Sequence, residues 1–144
     1  MMNIDGLTDA QIAEILKRSK SFAVVGASAN PSRPSYGVME FLIAHGYQVH
    51  PVNPGHAGQK ILGRTVYANL ADVPAPVDVV DVFRNSDAAA AVVAEAIALK
   101  DVLSIKVVWL QVGVIHEQAA QSARLAGLTV VMDRCPKIEG ARLR

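Results

Sequence analysis

The sequence lacks the features that mark several common protein classes. Its single cysteine excludes a disulfide within the chain, so we expect a reducing, cytoplasmic location. Charged residues make up 19%, the net charge is +1, and no block of like charge indicates a nucleic-acid-binding or membrane-binding surface. Apolar runs fall far short of the ~18 residues of a membrane span. The first six residues contain no basic, apolar leader, so we expect no signal peptide.

What the sequence does contain is enough apolar material for a core. Hydrophobic residues make up 51%, but aromatic residues only 5%, so Val, Ile, Leu and Ala must fill the interior. A length of 144 residues suits one domain, and neither a repeat nor a linker interrupts it. We therefore expect a single domain over residues 1–144. It would begin with a helix within 1–20 and end in a tail, 134–144, without a clear period.

Short apolar runs alternate with helical patterns about five times. Thr8 and Gln11 have the spacing of a capping box, which predicts the start of the first helix. Strands are predicted at 22–26, 47–52, 77–83, 105–110 and 128–132. The nearly all-apolar strands indicate burial on both faces. The pattern predicts an α/β fold with a doubly wound, mostly parallel sheet of about five strands. Because such folds bind ligands at the carboxyl ends of their strands, the residues after each strand are the candidates for a binding site.

The segment after the first predicted strand is small, polar and suited to an anion. It reads Gly26-Ala27-Ser28-Ala29-Asn30-Pro31-Ser32-Arg33-Pro34-Ser35. A glycine permits a tight turn, and the helix that follows offers free N–H groups. Ser28 and Ser35 can donate hydroxyl protons, and Arg33 can pair with phosphate oxygens. The alternative is an ordinary turn between a strand and a helix.

This segment departs from the dinucleotide-binding fingerprint. Counted from Gly26, that motif requires further glycines where the chain has Ser28 and Pro31. Residues 46–58 also contain no Asp or Glu that could bind a ribose. The sequence therefore disfavours standard NAD binding.

Three further strand ends carry candidate residues. Asn53 and Pro54 follow the second strand, where they can rim an adenine or ribose or form a rigid turn. Phe83 ends the third strand and can stack on a base, line an acyl-chain groove or belong to the core. Arg84 beside it can meet a phosphate or be an ordinary surface charge. The fourth strand is followed by Gln111, Val112 and Gly113, where the glycine allows close ligand approach or simply makes the turn.

No constellation of side chains indicates catalysis or metal binding. The histidines, which are His45, His50, His56 and His116, lack metal-ligand spacing. A Gly-x-Ser-x-Gly nucleophile motif is absent. We expect neither catalytic residues nor metal ligands. Asp78 and Asp81 on the third strand can form a functional acid pair, but an edge or strand-end role is favoured.

Six segments between residues 22 and 139 occur in the order and spacing of a known family. They are GASANPSRPSYGVMEFL, GYQVHPVNPGHAGQKILG, VYANLADVP, VDVVDVFRNS, VVWLQVGV and AGLTVVMDRCPKIE. In these segments the sequence resembles the CoA-binding domain family, which shares a Rossmann-like fold with the amino-terminal domain of the succinyl-CoA synthetase alpha subunit. It departs from that enzyme in a first loop with less glycine and in having no room for the second domain with its phosphorylated histidine.

The resemblance implies that coenzyme A lies across the carboxyl ends of the strands. It implies that the first loop holds phosphates, that the PVNP stretch flanks the nucleotide end, and that residues 82–84 line a groove. The implied cofactor-binding residues are Gly26, Ala27, Ser28, Arg33, Ser35, Asn53, Pro54, Val82, Phe83 and Arg84. The expected function is binding of coenzyme A or a short acyl-CoA without catalysis by the chain itself. The alternative is an NAD(P)-dependent or acyl-CoA-handling enzyme, or a subunit of one, completed by a partner.

The expected partner is this small molecule rather than a nucleic acid or a membrane, and apolar helix faces also suit a homodimer. Cys135 adds a separate hypothesis, because it follows the fifth predicted strand on the ligand side of the sheet. Arg134 beside it would favour the thiolate and hence a mixed disulfide with the CoA thiol. The favoured interpretation is an inert thiol in a turn that Pro136 makes rigid.

Overall fold

Parallel strands and helices alternate along the chain. The structure is a computed structural model that describes residues 3–143. Its helices are α1 (Asp9–Arg18), α2 (Pro34–Ala44), α3 (Ser86–Ala98), α4 (Lys100–Leu103), α5 (Glu117–Leu125) and α6 (Pro136–Arg142). Its strands are β1 (Ser21–Val25), β2 (Gln48–Val52), β3 (Lys60–Ile61), β4 (Arg64–Thr65), β5 (Val79–Val82), β6 (Val107–Leu110) and β7 (Thr129–Val131). Short 3₁₀ turns at Pro54–His56 and Leu70–Asp72 lie between β2 and β5.

Five of the strands form one sheet in the order β2-β1-β5-β6-β7, and every neighbouring pair is parallel. The strand order reverses between β1 and β5, which makes this the topological switch point of a doubly wound fold. Strands β3 and β4 form a separate antiparallel pair. The prediction of a doubly wound parallel sheet of about five strands is confirmed.

Helices cover both faces of the sheet. Successive strand residues point to opposite faces, so each strand contributes side chains to both cores. In β5, Val80 packs into the core beneath α3 and α5, whereas Val79 packs into the core beneath α1 and α2. Every residue of β1, β5 and β6 is buried, as expected inside a parallel sheet. Trp109 is fully buried, and its indole N–H donates to the carbonyl oxygen of Arg134 at 2.9 Å.

The first helix begins at the predicted capping box. The N–H of Gln11 donates to Oγ1 of Thr8 at 3.2 Å, and the N–H of Thr8 donates to Oε1 of Gln11 at 2.8 Å. These two bonds satisfy backbone donors that a helix start otherwise leaves unpaired. The apolar stripe that follows, Ile12, Ile15 and Leu16, is buried against the sheet.

Residues 136–142, predicted as part of a C-terminal tail, form helix α6. Just before this helix, the guanidinium of Arg134 donates to Asp5 at 2.9 Å and to Glu139 at 2.7 Å. At the far end of α6, Arg142 donates to Asp9 at 2.8 Å. A helix this short is not stable alone. Ion pairs to residues near the start of the chain stabilise it, so no local period reveals it.

The two aspartates of the third predicted strand have different positions. Asp78 precedes β5, and its carboxylate accepts the N–H groups of Lys20 at 2.7 Å and Ser21 at 3.2 Å, which confirms a strand-end role. Asp81 lies inside β5, the third of the five sheet strands, so an edge or strand-end role is wrong for it. Sheet order, which the sequence does not display, places this carboxyl group in the interior.

Among residues 3–143, no helix has the length and apolar character required to cross a bilayer. The same part of the chain contains no group of three or more His, Cys, Asp or Glu side chains placed to hold a metal ion.

Candidate functional site

A cleft of about 430 Å³ opens at the carboxyl ends of the strands, where the strand order reverses. Its walls are formed by Gly26, Ala27, Ser28, Arg33, Pro34, Ser35, Asn53, Phe83, Arg84, Gln111, Val112 and Val114. These residues follow β1, β2, β5 and β6 or begin α2. We call it the switch-point cleft. Ligands of doubly wound folds bind at this location.

A larger cavity, of about 580 Å³, lies at the opposite end of the sheet. Residues around the amino ends of β6 and β7 line it, together with the end of α1. Parallel sheets of this type bind ligands at their carboxyl ends, so topology favours the smaller cleft as the functional site.

Gly26 brings the turns after β1 and β5 close together. Its φ is +90°, and a Cβ at this position would lie 2.6 Å from the carbonyl oxygen of Phe83 and 3.1 Å from Cδ of Arg84. Any side chain would therefore clash with the neighbouring backbone. The glycine is required for the two turns to form one cleft wall, with the stem of Arg84 directly beside it.

Hydrogen bonds from side chains hold the first loop in place. Nδ2 of Asn53 donates to the carbonyl oxygen of Ala27 at 2.8 Å, which ties the end of β2 to the loop. Oγ of Ser35 accepts the N–H of Ser28 at 3.0 Å, and Oγ of Ser28 accepts the N–H of Asn30 at 3.1 Å. Both hydroxyls act here as acceptors, so each retains a proton to donate to a ligand.

The cleft concentrates positive charge. Helix α2 begins there with Pro34, and Arg33 at its N-cap makes no capping bond through its side chain. The first turn of α2 contains no acidic residue, so the positive end of its dipole is available to an anion. Pro34 has no N–H, and the N–H of Tyr36 donates to the carbonyl oxygen of Arg33 at 3.1 Å. Arg33 and Arg84 are both exposed on the cleft, and no acidic residue lines it. This arrangement suits phosphate groups.

The β6 side of the cleft is more apolar. Phe83 is half-buried and packs partly against the core, Val112 is 56% exposed, and Val114 is buried. Gln111 lies among them with its side-chain oxygen buried and unbonded within the described chain. The sequence places Gln111 directly after a strand without indicating its role, and no sequence pattern points to Val114. The strand-end rule was the available signal for Gln111.

The structure brings together eight of the ten predicted residues in the switch-point cleft. The exceptions are Pro54 and Val82. Pro54 is exposed at the start of a 3₁₀ turn and does not line the cleft. Val82 is fully buried in the core beneath α3, because alternation along β5 turns it away from α2.

A second cleft, of about 740 Å³, adjoins the first at Val112, which lines both. Asn3, residues 7–9 and one side of α6 form much of its wall, and Ile138 lies there 57% exposed. Cys135 is buried in this second cleft rather than in the first. The Arg134 guanidinium is paired with carboxylates instead of facing an open thiol. These positions favour the inert-thiol interpretation of Cys135.

Comparison with known proteins identifies the family of this chain. Residues 20–141 match the family model for the CoA binding domain. The chain is 38% identical over 132 residues to the uncharacterized protein YneT of Bacillus subtilis (strain 168), covering 92% of this chain and 93% of that protein. It is similar in structure to a hypothetical protein from Pyrococcus horikoshii OT3, with a TM-score of 0.91, 41% identity, and coverage of 99% and 96% of the two chains. A 69-residue stretch, 45% of this chain, is 41% identical to 15% of the alpha subunit of acetate–CoA ligase [ADP-forming] I from Pyrococcus furiosus (strain ATCC 43587 / DSM 3638 / JCM 8422 / Vc1). The chain therefore belongs to the CoA binding domain family.

Proposed function

We propose that this protein binds coenzyme A, or a short acyl-CoA, in the switch-point cleft. Membership of the CoA binding domain family supports the ligand. The observation that carries the proposal is the combination of two exposed arginines, an uncapped helix start and no acidic lining residue at the carboxyl ends of the strands. A ligand with several phosphate groups matches such a site.

The phosphates of coenzyme A would lie at the start of α2. There the hydroxyls of Ser28 and Ser35 can donate hydrogen bonds, and the dipole of α2 favours negative charge. Arg33 and Arg84 can form charge-assisted bonds. The buried Ser35 has a fixed position because it already accepts the N–H of Ser28. The loop is thus arranged before the ligand arrives, which lowers the entropic cost of binding.

The rest of the ligand would extend to either side of the phosphates. Asn53 and Pro54 would flank the nucleotide end, and Phe83 would lie beside the arm that ends in the thiol. The second cleft, beyond Val112, offers room for the thiol or a short acyl group next to Leu7 and Ile138. NAD is a weaker candidate, since the first loop lacks two fingerprint glycines and residues 46–58 contain no acid for its ribose.

A thermal-shift series with coenzyme A, acetyl-CoA, 3′-dephospho-CoA, NAD, NADP and ATP tests the proposal. A ligand at ~100 times its Kd adds about 2.7 kcal/mol to the free energy of unfolding. We expect coenzyme A or acetyl-CoA to raise the melting temperature most, and 3′-dephospho-CoA to raise it less. A shift with NAD or NADP alone would indicate an enzyme that uses a nicotinamide cofactor. No shift with any ligand would contradict the proposed binding.

A further inference from the structure

Gln111 carries a buried acceptor without a partner. The residue directly follows β6 and is 8% exposed, and its Oε1 accepts no hydrogen bond from any described residue. Folded proteins rarely leave such atoms unpaired, because a buried acceptor without a donor costs stability. The other atoms of this kind in the described chain are the carboxyl oxygens of Asp81, which does not line the switch-point cleft. Gln111 does line it.

The backbone holds Gln111 firmly in the cleft wall. Its N–H donates to the carbonyl oxygen of Val82 at 3.3 Å, which extends the pairing of β6 with β5. Its carbonyl oxygen accepts the N–H of Val114 at 2.8 Å, which closes the turn that follows. The side chain therefore projects from a fixed point, and its amide oxygen can be satisfied by a donor on a ligand.

The surroundings of Gln111 select the kind of donor. Val82 pairs with Leu110 in the sheet, so Phe83 and Gln111 are neighbours at the strand ends. Phe83, Val112 and Val114 give this side an apolar character, whereas the arginine of the α2 N-cap and both serines lie on the β1 side. Ionised phosphates carry only acceptors and cannot pair with Oε1. The donor must be an N–H or O–H group on a largely apolar part of the ligand.

Coenzyme A carries such groups in its pantetheine arm, where two secondary amides are separated by methylene groups. The 6-amino group of adenine is also a donor, but it lies at the opposite end of the molecule, which the proposed orientation puts near Asn53. The arm also has a path onward, because Val112 joins the switch-point cleft to the second cleft. A terminal adenine would not need that path.

We propose that Oε1 of Gln111 accepts a hydrogen bond from an amide N–H or the hydroxyl of the pantetheine arm, and that this bond makes the cleft select coenzyme A over nucleotides without the arm. This inference rests on the proposed function. It assigns Gln111 as a specificity-determining residue on the opposite side of the cleft from the phosphate-binding loop.

Calorimetric titration of Gln111→Met tests the assignment, because methionine has a similar length and removes the amide. The titrants are coenzyme A and adenosine 3′,5′-bisphosphate, which has the nucleotide and lacks the arm. For Gln111→Met we expect the Kd of coenzyme A to rise about five- to tenfold, the size of one hydrogen bond. The Kd of adenosine 3′,5′-bisphosphate should stay within about twofold of wild type. The matched control is Gln121→Met on the exposed side of α5, which should change neither affinity.

The melting temperature of the ligand-free variant gives a second readout. Removing an unpaired buried acceptor should leave Gln111→Met as stable as wild type or more stable. An unchanged affinity for coenzyme A in Gln111→Met would overturn the assignment and leave the proposed function intact. Equal weakening of both ligands would also overturn it, since the amide would then contact the nucleotide. Wild type that binds neither ligand would contradict the proposed function itself.

Discussion

Two clefts that meet at Val112 use arginine in opposite ways. In the second cleft, Arg134 and Arg142 are paired with carboxylates at 2.7–3.2 Å. In the switch-point cleft, Arg33 and Arg84 form no ion pair with any described residue, and no acid lines the wall. The first pair stabilises the fold, and the second pair is available to a ligand. Pairing, rather than the number of arginines, decides which cleft attracts an anion.

The carboxylates that pair with arginine at the second cleft have lowered pKa values. Burial alone would raise the pKa of Asp5, but hydrogen bonds from Arg134 and from the N–H groups of Met132 and Leu7 hold it below the usual value. Burial also opposes ionisation of Glu139, and its arginine partners likewise lower its pKa. Both groups therefore contribute stability at neutral pH, which is lost as the pH falls through their lowered pKa values.

Removing Arg134 from its ion pairs should give the largest loss of stability. In Arg134→Met, Asp5 would remain in the interior without its cation, and Glu139 would keep only its contact with Arg142. We expect the free energy of unfolding to fall by about 3–5 kcal/mol at pH 7, as for other broken buried pairs. Urea denaturation at neutral pH measures this loss.

The matched control for this change comes from the other cleft. Arg84→Met removes an exposed arginine without a carboxylate partner, so its unfolding free energy should stay within about 0.5 kcal/mol of wild type. Equal losses in the two variants would contradict the division between a structural and a ligand-binding arginine pair.

Removing a cation from the switch-point cleft should instead weaken binding. A charge-assisted hydrogen bond contributes about 1.5–3 kcal/mol, so Arg33→Met should raise the Kd for coenzyme A by about 10- to 100-fold. Its melting temperature without ligand should match that of wild type, because Arg33 makes no capping bond through its side chain. Calorimetric titration measures the affinity. Arg124→Met, an exposed arginine on α5, is the control, and an equal loss there would indicate general screening rather than a specific contact.

The sequence predicts the residues of the switch-point cleft better than the ion pairs around Arg134. Gly26 and Ser28 lie in the loop that follows β1, and Arg33 ends that loop at the N-cap of α2. An all-apolar run and one topological rule are enough to place this loop at the carboxyl end of the sheet. The pairing of Arg134 with Asp5 spans 129 positions. No local period indicates such a contact, so the sequence does not predict helix α6, which this contact helps to hold in place.

The sequence does not reveal which way a side chain points or which polar atoms remain unpaired. The family resemblance implies that Val82 lines the groove, but residue alternation turns it into the core beneath α3. The unpaired oxygen of Gln111 depends on which donors fail to reach it. That information exists only once the chain is folded, so the sequence indicated the position of Gln111 and not its significance.

Asp81 differs from the charged residues of both clefts, because its carboxyl group is neither paired nor open to a ligand. It is fully buried in β5, and neither carboxyl oxygen has a hydrogen-bond partner in the described chain. Burial raises the pKa of Asp81 well above the usual value, so the folded state favours the neutral acid. As the pH rises above ~3.9, the unfolded chain releases this proton first, and stability falls until the pH passes the raised pKa.

Asp81→Val should therefore stabilise the protein, by about 1–3 kcal/mol at pH 7. The gain should be smaller at pH 4, where the unfolded chain still binds much of the proton, and urea denaturation at both pH values measures the difference. Asp81→Asn keeps the shape and removes the titration, so it should reproduce the pH-dependent part of the gain. A loss of stability in both variants would mean that the carboxyl group has a partner in solution. In that case Asp81 would resemble the paired carboxylates of the second cleft, and Gln111 would be the one buried side chain in the described chain that still needs a donor.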